Sequence, residues 1–577
     1  MLNMKSKLVW LMIAGLSISA CSKDSDDSVG SALTASDGVL KYVPADTPYV
    51  LAMPVALPDD VLDKMELQTD LMLQMYPDLL EGILKSAIAT READGQESEG
   101  LEQAMPLLDE LDSLMSIEGL RAAGIDRDSR FVMYGAGVLP VIRTTLSDGK
   151  LLEAAIVKLE ESAATKMSVA TIDNHEYRYA GDEKGRVIVA IIDNELVISL
   201  VPTELSEELL KSVLGLTLPD QNIAQSGSLK NVADKYSFED YFVGYIDIQQ
   251  FASVFLDDQT GINAELLSML EFDGTQISDV CKSEMRSMAG VMPRIVAGYT
   301  DVSTEKISSK AVVELRDDLA AGVATMTGPV PGLGRDQGGI FSLGMSTDLM
   351  AAREFYSDRL DAIEADPYEC EELAEVQYGV AAGREMLNQP LPPIVYGFKG
   401  FLAVVESIEG LDLQNEIPPT SIDMRLLVSM DNVEGLIAMG AMFSPELAAL
   451  NIEPNGEPVK VEMGQLAAMG QTVHVAMTDD AIAVSVGEGT EARLGEMLQA
   501  DVTEPSPFVT FEMDAARYYS FISDAMMSGD DLSSMPEIRD ATQAMLDAVS
   551  KSISRMSLAV DFSEHGIEID STVTLTE

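Results

Sequence analysis

Three cysteines and three histidines are the side chains here whose chemistry depends on spacing, and they lie far apart in the chain. His175, His474 and His565 form no His-x-x-x-His pair and no glutamate-flanked zinc pattern. Neither Cys281 nor Cys370 has a histidine nearby, and there is no Gly-x-Ser-x-Gly elbow to raise a serine nucleophile. The glycine-rich run Gly328–Gly338 lacks the Lys-Ser/Thr of a phosphate loop and leads into a strand rather than a helix. Leu256–Gly261 and Gly124–Asp128 miss the ligand spacing of a calcium loop. The sequence therefore predicts no catalytic residue, no cofactor and no metal site. With 96 acidic residues, carboxylate pairs carry no information, and an envelope hydrolase with dispersed carboxylates is the alternative to a non-enzymatic protein.

The remaining cysteine, Cys21, sits in a different context. Lys5 and Lys7 precede the short apolar run Leu8–Leu16, and Ile18-Ser19-Ala20 place small residues before Cys21. The run is too short to span a bilayer, which makes it a removable address. The stretch resembles the signal of bacterial lipoproteins. That resemblance implies that residues 1–20 are cleaved, that the Cys21 thiol receives a diacylglyceryl group, and that its new amino terminus is acylated. It also implies that Ser22, where inner-membrane members carry Asp, sorts the protein to the outer membrane. The expected location is the periplasmic face of the outer membrane, with the cell surface as the alternative. The lipoprotein maturation and sorting machinery are then partners. In an oxidising compartment Cys281 and Cys370 are candidates for a disulfide, with two free buried thiols as the other reading.

The formal net charge is −58, and losing Lys5 and Lys7 with the leader makes it more negative still. Without a basic stripe, nucleic acid is excluded as a partner, and flat docking on an anionic membrane is disfavoured. A hydrophobic content of 46% excludes an acidic disordered chain. Residues 21–40, rich in Ser, Asp and Gly, read as a flexible acidic tether from the lipid.

Beyond the tether, one series of patterns runs through the chain twice. Apolar strands at Tyr49–Met53 and Ile340–Met345 each feed a helix. Strands with a Tyr-Gly pair follow at Phe131–Gly135 and Ile394–Gly397, then strands ending at Asp148 and Asp431. Val187–Leu200 and Val473–Val486 both read as hairpins, offset by a constant 286 residues. Tyr241–Asp247 and Pro507–Asp514 enter helices, and strand-turn-strand units close each series at Ile295–Leu315 and Ser557–Leu575. The expected fold is α+β, with two homologous tandem domains. Each would be a mostly antiparallel sheet with helices on one face. The boundaries fall at 41–318 and 336–577, joined by a Gly/Pro linker at 319–335. The helical stretches at Leu57–Ala89, Leu101–Ser116 and Ser534–Arg555 carry many of the methionines, which read as ordinary core packing, with adaptable apolar pockets as the alternative.

Tyr42-Val43-Pro44-Ala45-Asp46-Thr47-Pro48 resembles the opening of an uncharacterised family of Gram-negative envelope proteins, which has no established activity to transfer. The functional expectation is a non-enzymatic, outer-membrane-anchored binding or envelope-assembly factor. It would hold an apolar ligand or an envelope protein between the two halves. A surface-exposed structural or adhesive lipoprotein is a further alternative.

Overall fold

A computed structural model describes residues 31–35, 38–66, 105–163, 166–257, 259–410, 419–443, 452–462, 470–527 and 549–576, with scattered positions between them. Its strands are β1 (Tyr49–Met53), β2 (Phe131–Ala136), β3 (Leu139–Thr145), β4 (Ser168–Ile172), β5 (His175–Gly181), β6 (Gly185–Ile192), β7 (Glu195–Pro202), β8 (Val243–Asp247), β9 (Arg294–Val302) and β10 (Lys306–Glu314). The second half supplies β11 (Phe341–Ser346), β12 (Phe398–Glu409), β13 (Ser421–Met430), β14 (Val459–Val461), β15 (Val473–Met477), β16 (Ala481–Val486), β17 (Val509–Asp514), β18 (Ile553–Ser563) and β19 (Gly566–Leu575).

All nineteen join one antiparallel sheet. From the outer edge of the first half the pairings run β4-β5-β6-β7-β3-β2-β1-β8-β9-β10. The sheet then crosses to β19 and continues β18-β17-β11-β12-β13-β16-β15-β14. Counting outward from the seam, each half uses its strands in the same connection order, except that β4 at the outer edge of the first half has no counterpart among the described residues of the second. The seam itself is a nine-residue antiparallel ladder, Lys306↔Thr574 to Glu314↔Gly566. Instead of two sheets facing each other, the halves share one sheet edge to edge. Each closing hairpin offers a long strand whose unpaired backbone groups find partners in the other half.

Helices cover more than the one face expected. Face A carries Val132, Val141, Ile188 and Val197, packed beneath Leu33, Val39, Leu40 and the helices Glu207–Leu214 and Ser228–Tyr236. Face B carries Val189, Leu196 and Ile198, packed beneath the helices Met105–Leu114, Ile117–Ala122 and Gly149–Ser162. The reason lies in β6 and β7, whose runs Val-Ile-Val-Ala-Ile-Ile and Leu-Val-Ile-Ser-Leu-Val are apolar on both sides. The β6–β7 turn is Asp193-Asn194 with both φ positive, the geometry that matches strand twist.

Four boundaries differ from expectation. Leu33, Val39 and Leu40 are buried, and the Ser31 hydroxyl and Ala32 N–H donate to the Asp240 carboxylate, so residues 31–35 and 38–40 belong to the packed body and not to a tether. The stretch 319–335 is no linker. It begins within the helix Asp317–Val323, and its Val330 and Leu333 are fully buried against Leu402, Val404 and Leu427. Apolar residues between the glycines gain more by joining that core than by staying solvated. Pro393–Tyr396 is a helical turn with proline at its first position, and the strand expected at 394–397 begins instead at Phe398. At the other end of the second half, Ile553–Arg555 belong to β18 and not to the expected helix.

Candidate functional site

Near the seam the sheet separates mostly apolar from mostly polar, because β18 and β19 alternate with two exceptions, Ser571 on the apolar side and Ala559 on the polar side. Met556, Leu558, Val560 and Phe562 share face B with Ile567, Ile569 and Val573. The register extends this face through Val313, Ala311 and Ala297 to Ile246, Leu51 and Met133 on one side. On the other side it runs through Val509 and Phe511 to Leu343, Met345 and Phe401. Ten strands, β2 to β12 across the seam, thus build an apolar floor about 43 Å wide at the usual strand spacing. Three of its large side chains stay in water, Ile246 and Leu343 each 40% exposed and Leu558 38%, while Met513 and Val405 on the same face are buried.

Two helices flank this floor in matching ways. Asp247 caps Ile248–Leu256 by accepting from the Gln250 N–H, and Asp514, at the start of Ala515–Met527, accepts from the Arg517 N–H. Four residues after each aspartate an aromatic ring meets a floor ring. Phe251 lies 6.4 Å from Tyr49, and Tyr518 lies edge-on 6.0 Å from Phe341. Contact with the rings of Phe251 and Val138 carbonyl leaves Tyr49 largely out of water, and burial pushes its hydroxyl up to about 12.

Face A of the seam is polar. Lys310 on β10 pairs with Glu568 and, at 3.3 Å, with Asp570 on β19. Burial, then the charges of Asp570 and Glu568, raise the Asp561 carboxyl. Nearby, Glu314 is 7% exposed and accepts from Arg294 (3.0 and 3.1 Å), Lys235 (2.8 Å) and Tyr236 (2.5 Å). Burial alone would raise its carboxyl, but these donors outweigh it and hold Glu314 at about 2. His565 from the other half packs edge-on against Tyr236 at 5.5 Å.

Carboxyls shifted upward are dispersed. Glu239 sits beside Asp301, Glu512 beside Asp336 and Arg555, and Asp561 beside Asp570 and Glu568. Away from the seam, an open polar depression of about 650 Å³ lies over β5 and β6. Lys150, Glu153, Glu176 and Arg178 line it, and Arg178 is already engaged by the Glu153 carboxylate.

Cys281 and Cys370 form a disulfide. It joins the helix Asp279–Ala289, inserted between β8 and β9, to the turn before Ala374–Asn388, inserted between β11 and β12, and so spans the two halves. Cys21 and Ser22 lie outside the described residues. His474 lies on β15, 3.7 Å from Glu491, and is not brought near His175 or His565 by the sheet order. No helix among the described residues is long and apolar enough to cross a membrane. The floor residues were missed in the sequence as a site, although the alternation in 556–562 and 567–573, broken only at Ala559 and Ser571, carried the signal. The chain matches no protein-family model, no curated protein and no solved structure.

Proposed function

We propose that this chain is a lipid-anchored envelope protein that binds acyl chains of a lipid on the apolar floor of its shared sheet, without catalysing a reaction. One observation carries the reading: apolar side chains of both halves share one face across the seam, and three of them, Ile246, Leu343 and Leu558, stay more than a third exposed. Contiguous exposed apolar surface of this extent marks a binding site in a water-soluble body. The occupant fits the floor in length. An acyl chain fills about 15 Å, half of a bilayer core of about 30 Å, so several fit along the sheet. The high negative charge disfavours peripheral adsorption to anionic headgroups, which leaves apolar tails as the part of a lipid such a body can hold. Anchoring at Cys21 by the acylation its surroundings resemble would keep the floor within reach of a membrane. The repeated connection order and the paired Asp–aromatic caps support an origin by duplication of one α+β domain into two homologous tandem copies.

The test is lipid binding by the purified protein. Native mass spectrometry and displacement of a lipophilic dye should detect bound lipid, and Leu343→Glu or Ile246→Glu should weaken binding at least tenfold. Both side chains are 40% exposed, so each variant should keep the native circular dichroism. Unchanged binding by folded variants refutes the floor as the site. Cys21→Ser should move the protein from the membrane to the soluble fraction, and persistence in the membrane would sink the anchor.

A further inference from the structure

The sulfurs of Cys281 and Cys370 share a third neighbour that a disulfide gives no reason to attract. The Glu372 Oε2 lies 3.1 Å from the Cys281 Sγ and 3.0 Å from the Cys370 Sγ. Neither sulfur of a disulfide carries a proton, so this carboxylate oxygen has no donor to meet in the oxidised state. A dithiol or a bound cation would satisfy it. All three ligand atoms lie within 4.8 Å of one another, the cysteines are 6% and 2% exposed, and Glu372 reaches solvent.

The two cysteines are also held together by contacts that do not need the S–S bond. Glu284, one turn along the helix that carries Cys281, accepts from the Glu369 N–H at 2.9 Å and the Cys370 N–H at 3.0 Å. The Ser278 hydroxyl caps that helix at the Cys281 N–H. These contacts hold the backbones of both cysteines without the S–S bond, and separating the sulfurs to about 3.8 Å is enough for tetrahedral coordination at 2.3 Å.

We propose that the reduced protein binds one zinc-type divalent cation through the Cys281 and Cys370 thiolates and the Glu372 carboxylate. Solvent would complete the tetrahedron on the side where Glu372 is exposed. The formation steps balance. A dithiol reductant gives two electrons and two protons to the disulfide and becomes a disulfide itself. The two protein thiols then release two protons as the cation takes both sulfurs. Two thiolates and one carboxylate favour a borderline-soft ion such as Zn²⁺ over Mg²⁺ or Ca²⁺. Because the site bridges insertions from the two halves, the cation would replace one crosslink with another.

Cobalt(II) and zinc test this on the full chain, reduced with dithiothreitol and desalted without oxygen. The reduced protein should take one equivalent of Co²⁺ with thiolate-to-metal absorption in the near ultraviolet, and Zn²⁺ should displace it. The oxidised protein and the C281S/C370S double variant should show no such band, which separates the site from adventitious binding to surface carboxylates. Glu372→Gln should keep the band but weaken Zn²⁺ binding at least tenfold, the lower end of what even outer ligands contribute. Absence of the band in reduced, folded protein overturns the proposal. So does unaltered zinc affinity in Glu372→Gln, or loss of near-ultraviolet circular dichroism on reduction alone.

Discussion

Replacing Glu314 by Gln removes one charge from the seam while keeping the side-chain shape. Glu314 ends β10, where the two halves join, and its carboxylate holds Arg294 on β9 together with Lys235 and Tyr236. Its carboxyl lies at about 2 in the folded protein against 4.5 for an ordinary glutamate. The depressed value means that folding favours the ionised form, so the stabilisation is full above 4.5 and is lost as pH falls toward 2. At 1.36 kcal/mol per unit the linkage is worth about 3.4 kcal/mol at neutral pH, about 1.4 at pH 3 and about 0.4 at pH 2. The Lys235 side chain is 42% exposed and that of Arg294 27%, so solvent screening lowers the neutral-pH figure to about 2–3 kcal/mol. Urea unfolding of native protein and Glu314→Gln, compared at pH 7, 4 and 2.5, should show a gap of that size that closes with acid. A gap independent of pH would refute the charge argument and leave only packing.

Arg143→Ala should cost about 3–5 kcal/mol, because Arg143 is 1% exposed and its loss strands Glu195, 3.1 Å away, in the interior. Arg143→Lys should restore little in the same urea assay, since Arg143 also meets the Tyr134 hydroxyl and Val213 carbonyl and stacks over the Tyr42 ring. Gly400→Ala should lower stability by about 2–4 kcal/mol in thermal unfolding: φ is +145° and a Cβ would meet the Met345 carbonyl oxygen at 2.1 Å.

Several elements were legible in the sequence because their signals are local. The hairpins at 187–200 and 473–486 are β6–β7 and β15–β16, and the strand ending at Asp247 does enter a helix, with the Asp247 carboxylate accepting the Gln250 N–H. The extent of the first half was misread because Leu33, Val39 and Leu40 stand among Ser, Asp and Gly. Three apolar residues in polar surroundings give no period, and only the core that receives them shows that they are interior. The same holds for Val330 and Leu333 between their glycines.

Alternation in β18 and β19 determined, from sequence alone, that each strand has one apolar and one polar face. It could not determine what lies beside them. An outer strand carries unpaired backbone groups whatever its side chains are, and the seam arises because β10 and β19 satisfy those groups with each other. That long-range pairing, invisible to any local pattern, merges the apolar faces into one floor. Tertiary structure likewise brings Cys281 to Cys370, 89 residues further along the chain, and to the Glu372 carboxylate beside it.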